Sequence, residues 1–182
     1  MYLFVLCHDF NAIISLLNKG TKMATQFELK GWAQAENPPK LTDQQWNMTG
    51  LLGVIFIVMA ILQIISFSDF KDWFSSVGFG GPVTWAVVLI LAELWAAAGL
   101  FKLRLSVGFR MVSGWLAVLA AGFWFIQNLR LVSDAKSGVL QNSGFFGKYL
   151  HMSPGWWTVL IATVFLLWTV HSVRLTSWTN KR

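Results

Sequence analysis

One acidic residue, Glu93, lies inside a long apolar stretch, and its type and position make it the side chain best placed to do chemistry. It is the only charged residue in PVTWAVVLILAELWAAAGLF, residues 82–101. A carboxylate near the centre of a membrane-spanning helix costs about 2.5–3.5 kcal/mol on insertion scales, and it usually faces the bundle interior and has a partner there. Two interpretations stay open: a group that handles protons or contacts a substrate, and a hydrogen-bonding anchor between helices.

The depth of Glu93 indicates which side chains can reach it. It lies eight residues, or about 12 Å at the helical rise, before the end of its apolar stretch. Arg110 opens the next stretch at that end, and a long arginine can extend along a helix toward it. Ser113 and His171 lie about one turn from the same surface. We therefore predict an intramembrane polar cluster of Glu93, Arg110, Ser113 and His171 in the half of the membrane nearer the chain termini, the inner half.

A second polar level is predicted near the opposite, outer surface, where Gln63, Gln127 and Asn128 lie. Neutral amides there can form hydrogen bonds between helices, which we favour over contact with a ligand. Small residues spaced four apart let two helix backbones approach closely. They predict a tight contact between the second and third helices, or with a helix of another protein, through Ala92, Ala96, Ser113, Ala117 and Ala121.

Metal, haem and disulfide chemistry have little support in this sequence. His151 and His171 fall on opposite predicted sides of the membrane, so they cannot share one haem iron, and His8 lies near the N-terminus. A single cysteine, Cys7, excludes an internal disulfide, a CxxC pair and a Cys-rich metal site. We predict no metal site and assign no catalytic residue. A quinone or a lipid is the candidate ligand, and enzymatic activity stays open, with the weight against it.

The elements that must position these residues are four apolar blocks, each near the length that crosses about 30 Å of hydrocarbon. The chain has 182 residues, of which 55% are hydrophobic and 12% charged, about half the charged fraction of ordinary soluble domains. That composition argues against a soluble enzyme and a disordered tail. We predict an all-α fold, a four-helix transmembrane bundle at residues 49–174, with spans at about 49–67, 82–101, 111–129 and 155–173.

The distribution of charge predicts the orientation of the bundle. The net charge is +6, and ten of the fourteen Lys and Arg residues lie on the side of the termini. The positive-inside rule then places both termini in the cytoplasm, including a basic tail at 175–182. Because these cations flank apolar blocks, membrane topology explains them better than nucleic-acid binding. For the N-terminal cytoplasmic segment, 1–48, two interpretations stay open: a short surface helix near its start, or translation from Met23 with 1–22 an over-called start.

Aromatic residues near the predicted membrane surfaces complete this picture. Tryptophans at helix ends are typical of the headgroup level; they are Trp46, Trp85, Trp156, Trp157 and Trp178. A short amphipathic segment is predicted at residues 68–76, after the first span. In the outer loop, Gly144, Phe145, Phe146, Gly147 and Tyr149 are expected to dock on the membrane surface in preference to a partner.

The middle of the chain resembles the DoxX-like family of four-helix membrane proteins. The resemblance covers about Val54 to Phe125, through IFIVMAILQIISFSDFKDWFSSVGF, VLILAELWAAAGLF and RMVSGWLAVLAAGFW. The shared pattern is a first helix that leads into an "F…W" amphipathic stretch and a "GF" turn, a second helix with a mid-membrane Glu and a Gly-Leu exit, and a third helix rich in small residues. Many members carry a Gly and a Lys near the end of the first helix, where this chain has Ala60 and Gln63.

The resemblance implies a membrane subunit whose function depends on other proteins. Members resemble small subunits of quinone-linked sulfur-oxidising complexes, membrane anchors of redox-stress assemblies and, more distantly, assembly chaperones. We therefore expect an accessory subunit of the bacterial inner membrane that binds and positions a partner membrane complex, a respiratory or redox-linked one. The alternative is a membrane oxidoreductase or transport-like protein that uses Glu93 in quinone or proton chemistry.

Overall fold

The computed structural model describes residues 34–133, 144–146, 152–153 and 155–178, apart from the side chain of the last. The predictions for residues 1–33, including Cys7, His8 and the two interpretations of the start, lie outside the described residues. So do those for Gly147, Tyr149, His151, the Trp178 side chain and residues 179–182. The elements are two short strands, β1 (Ala35–Glu36) and β2 (Leu105–Ser106), and the helices α1 (Asp43–Ile65), α2 (Phe67–Val77), α3 (Pro82–Leu100), α4 (Val107–Ser133) and α5 (Trp156–Val173).

Four of these helices are long and apolar enough to cross a membrane: α1, α3, α4 and α5 with its π-helical extension to Ser177. The predicted all-α four-helix bundle is confirmed, and the chain is an integral membrane protein. Helix α1 begins six residues before the predicted span because Thr42 and Gln45 form a capping box, in which Thr42 Oγ1 accepts from the Gln45 N–H and Gln45 Oε1 accepts from the Thr42 N–H.

The four long helices pack in the order α1–α3–α4–α5, and α1 approaches α5 much less closely than the other neighbours approach each other. The rings of Phe56 and Phe165 bridge this wider seam, with centroids 5.1 Å apart. The outward faces of the bundle are apolar. For example, the side chains of Leu91, Leu119 and Leu167 are each more than half exposed. Such surfaces suit lipid, which provides no hydrophobic driving force for burying them.

The predicted amphipathic segment is α2, a helix that lies across the outer end of the bundle. Phe70, Trp73, Phe74 and Val77 form its buried face, at the spacing of one side of a helix. Its buried rings contact aromatic residues of α4: Trp73 lies 5.6 Å from Trp124 between ring centroids. The buried face of α2 therefore packs against aromatic residues in the bundle interior.

At the inner end of the bundle, hydrogen bonds join segments that are distant in the sequence. Strand β1 pairs antiparallel with β2, Ala35 opposite Ser106 and Glu36 opposite Leu105. Ser177, in the final turn after α5, donates from Oγ to the carbonyl oxygen of Arg110. The first and last described parts of the chain thus lie at the same end, as an even number of membrane crossings requires.

Candidate functional site

Glu93 is the centre of a buried polar cluster that joins three helices and the outer loop. Glu93 belongs to α3, and its side chain is fully buried. Trp124 of α4 donates from Nε1 to Glu93 Oε1 at 2.8 Å, and Gln63 of α1 donates from Nε2 to the same oxygen at 3.3 Å. The Gln63 Nε2 also donates to the carbonyl oxygen of Phe145 at 3.2 Å. One carboxyl group thus ties α1, α3 and α4 together, and Gln63 extends the connection to the outer loop.

Among the described residues, Trp124 is the largest fully buried side chain, and it joins the polar cluster to neighbouring aromatic rings. Its indole N–H faces Glu93, while its ring is stacked on Phe145, with centroids 4.9 Å apart and planes inclined by 19°. On other sides it contacts Phe70 and Phe123. Because a buried indole N–H needs an acceptor, the carboxyl of Glu93 and the ring of Trp124 position each other.

The turn at Gly144, Phe145 and Phe146 enters the bundle, so the expectation that it docks on the membrane surface is wrong for Phe145. Phe145 is 2% exposed, and its ring lies between Trp124 and Phe165. The physical reason is that the Phe145 ring gains buried contacts with rings of α4 and α5, while Gln63 of α1 donates to the Phe145 carbonyl oxygen. The turn therefore covers Glu93 from the outer side.

Gly144 makes this close approach of the turn possible. It has φ +85°, and a Cβ at this position would lie 2.6 Å from Trp73 Cε2. We expect Gly144→Ala to lift the turn off Trp73, because both the backbone conformation and the space favour glycine. In a variant without Cys7 that carries a cysteine at position 146, the Gly144→Ala change should increase the rate of maleimide labelling several-fold. Gly80→Ala, which meets nothing within 4 Å, is the control and should leave the rate unchanged.

The predicted inner cluster of Glu93, Arg110, Ser113 and His171 is not what the structure forms. Arg110 donates from Nη2 to the Leu103 carbonyl oxygen at 3.1 Å, and no salt bridge joins it to Glu93. The reason is register along α4: Arg110 precedes the Glu93-binding residue of that helix by fourteen positions, about 21 Å of helix. Ser113 is buried beside Gly99, and His171, in the last turn of α5, is exposed.

Of the three amides predicted at the outer level, only Gln63 bonds Glu93, whereas Gln127 and Asn128 are buried on α4. Gln63 is fully buried and bonds Glu93 directly. Asn128, also fully buried, donates from Nδ2 to the carbonyl oxygen of Trp124, one turn before it on α4. Gln127 is 6% exposed. The structure thus connects the acidic residue, which we placed in the inner cluster, to one of the amides of the outer level.

Several buried polar atoms around Trp124 have no hydrogen-bond partner among the described residues. They are Gln63 Oε1, Trp73 Nε1, Glu93 Oε2, Gln127 Oε1 and Asn128 Oδ1. Most buried polar atoms in proteins are satisfied, so a group of unpaired ones needs an explanation. Four of these five atoms are acceptors, so the unpaired acceptors here outnumber the unpaired donors. In the described part of the chain, no group of three or more His, Cys, Asp or Glu side chains is placed to hold a metal ion.

The small residues predicted at helix contacts are mostly buried, as a contact between helices requires. Ala96, Ser113, Ala117 and Ala121 are buried, and Ala92 is half-buried. Helices α3 and α4 approach closely at Gly99, where an added Cβ would overlap the Cβ of Ser113. This contact fixes the two helices that carry Glu93 and Trp124 relative to each other.

Sequence reasoning missed two members of the site, Trp124 and Phe145. A signal existed for the first: Trp124 lies in the interior of its predicted span, away from the headgroup level where tryptophans are expected. A tryptophan at that depth needs an acceptor for its N–H, and Glu93 is the charged acceptor in the neighbouring helix. No comparable signal marks Phe145, whose position depends on the path of the outer loop.

Comparison of the chain with protein-family models, curated proteins and solved structures found no match. The DoxX-like resemblance therefore stays a prediction from the residues that carry it.

Proposed function

We propose that this protein is a non-catalytic accessory subunit that binds and positions a partner complex within the membrane. The observation that carries the proposal is how Glu93, the acid in the middle of α3, is bonded. Glu93 is fully enclosed, and both of its hydrogen bonds go to other helices of the same bundle. The polar groups of the interior thus hold the protein together, and the outward apolar faces are left for contact with lipid or with helices of other proteins.

Three finer parts of this proposal have separate support. The redox or respiratory character of the partner and the bacterial inner membrane rest on the DoxX-like pattern between Val54 and Phe125. The cytoplasmic location of both termini rests on the excess of Lys and Arg on their side. A membrane-dissolved quinone or lipid is the candidate small ligand, since the outward faces are apolar and rich in aromatic residues.

One observation favours a second function, a membrane oxidoreductase or transport-like activity that uses Glu93 in quinone or proton chemistry. The Oε2 atom of Glu93 is buried and has no hydrogen-bond partner. An enclosed carboxyl oxygen without a partner is a typical attachment point for a proton or for a hydrogen-bonding ligand. The accessory function is favoured over this one because the other oxygen of the same group joins three helices.

Glu93→Gln distinguishes the two functions, because it keeps the acceptor that Trp124 and Gln63 use and removes the ionisable oxygen. For an accessory subunit we expect the variant to reach the membrane at wild-type levels and to co-purify with the same partner at the same stoichiometry. The activity of that complex should change less than about twofold. Intact assembly with lost activity would contradict the accessory function and support the second one.

The partner-binding face can be located by photo-crosslinking in native membranes. A photoreactive residue is placed in turn on the outward face of each long helix, at Ile61, Leu91, Leu119 or Leu167, all of which are at least 45% exposed. We expect one face to give a discrete protein adduct and the others to give lipid adducts. If all four faces give only lipid adducts, the accessory function is contradicted.

A further inference from the structure

The orientation of the Gln63 amide is fixed by its surroundings. Its Nε2 donates to two acceptors, Glu93 Oε1 and the carbonyl oxygen of Phe145. If the amide were flipped, its oxygen would face the carbonyl oxygen of Phe145, which has no proton to donate. Nε2 therefore faces Glu93 and Phe145, and Gln63 Oε1 is left as a buried acceptor without a donor.

The carboxyl group of Glu93 also has one oxygen atom without a hydrogen bond. Its Oε1 accepts two hydrogen bonds, whereas Oε2 is buried and accepts none. In the described part of the chain, no lysine, arginine or histidine makes a salt bridge to it. An enclosed carboxylate without a cation is strongly disfavoured, so the group needs a proton or a cation that none of the described side chains supplies.

We propose that Glu93 holds a proton on Oε2 and shares it with Gln63 Oε1, so that the two side chains form a reciprocal acid–amide pair. In this pair Gln63 Nε2–H donates to Glu93 Oε1, and Glu93 Oε2–H donates to Gln63 Oε1. One proton removes the buried charge and satisfies both unpaired oxygens. A carboxylic acid supplies one donor and keeps its acceptor capacity, which is what this pair of side chains requires.

The acid–amide pair also explains how the outer turn is held. With its oxygen engaged by the acid, the Gln63 amide cannot rotate, and its second N–H stays directed at the carbonyl of Phe145. The bound proton therefore stabilises the covered state of the site. A bound sodium ion is the competing way to supply one positive charge, and the experiment separates the two.

Infrared difference spectroscopy of the whole protein in liposomes tests this proposal directly. At neutral pH we expect a protonated-carboxyl C=O band that disappears in Glu93→Gln. The same band should persist in Gln63→Leu, which keeps the acid and removes its partner, but move to higher wavenumber because the hydrogen bond is lost. Isotope labelling of glutamate in wild type and Gln63→Leu gives the same comparison if Glu93→Gln fails to fold.

Three results would overturn the proposal. The first is loss of carboxylate bands alone in Glu93→Gln, which would show that Glu93 is ionised. The second is an acid band that appears only when sodium is removed, which would assign the charge to a metal cation. The third is an unshifted band in Gln63→Leu, which would show that the proton is not shared with Gln63. The proposal does not depend on the accessory function, because assembly with a partner enters none of these measurements.

Discussion

Trp124→Ala is expected to destabilise the protein more than any other single substitution considered in this bundle. The residue is fully buried, stacks on Phe145 and donates to Glu93. Trp→Ala changes in protein cores cost about 3–5 kcal/mol through lost contacts and the cavity that remains. We expect a value near 3 kcal/mol, because the unfolded chain stays in lipid and the transfer part of the cost is smaller. Unfolding in mixed micelles, followed by circular dichroism, measures it.

Two further variants show where this loss comes from. Trp124→Phe keeps a ring in the cavity but removes the donor to Glu93, and it should cost about 1 kcal/mol, the typical net value of one hydrogen bond. Trp157→Ala removes a tryptophan that is 74% exposed and should change stability by less than about 0.5 kcal/mol. Equal losses at positions 124 and 157 would refute the buried placement of Trp124.

The second large effect is expected from a single methyl group at Gly99. Gly99→Ala places a Cβ on that of Ser113, so α3 and α4 must separate at this contact. Overpacking of this kind typically costs about 1–3 kcal/mol. Because α3 carries Glu93 and α4 carries its indole donor, the separation should also weaken the hydrogen bond between them. We expect a lower unfolding midpoint in detergent, measured by circular dichroism.

The chain supplies a matched control and a rescue for this change. Gly122→Ala makes the same chemical change on α4 where an added Cβ meets nothing within 4 Å. It should raise stability by up to about 1 kcal/mol, because alanine favours a helix more than glycine does. Combining Gly99→Ala with Ser113→Gly removes the overlap and should restore much of the lost stability. A destabilised Gly122→Ala together with a neutral Gly99→Ala would contradict the described packing.

The four spans were predictable because each of them needs only length and apolar composition. The predicted span at 82–101 agrees with α3 (Pro82–Leu100) to within one residue. The first span is predicted to start after the true start of α1, because the polar first turn that Thr42 caps is not apolar enough to be recognised by hydropathy. Similarly, α4 extends beyond the predicted span at both ends, where Ser106 Oγ accepts from the Phe109 N–H and Arg130 lies in the last turn. Membrane orientation and partner identity stay predictions.

Two residues of the site were predictable from the sequence, but the contact between them was not. Glu93 and Gln63 were both recognised as buried polar side chains, but they were assigned to different membrane levels because depth was counted from their own helix ends. Side-chain length and direction decide the contact: Gln63 reaches across from α1, and Trp124 brings its N–H back along α4 toward the helix N-terminus. The position of Phe145 depends on a loop path that neither periodicity nor composition encodes.

A double-mutant cycle between Glu93 and Trp124 tests most directly the claim that the intramembrane acid is an anchor between helices. Unfolding free energies are measured for wild type, Glu93→Leu, Trp124→Phe and the double variant in the same mixed micelles. We predict a coupling energy of about 0.6–1.7 kcal/mol, the range from average to largest for hydrogen bonds between membrane helices. Additive effects, with a coupling below about 0.3 kcal/mol, would show that Glu93 does not join α3 to α4 and would contradict the account.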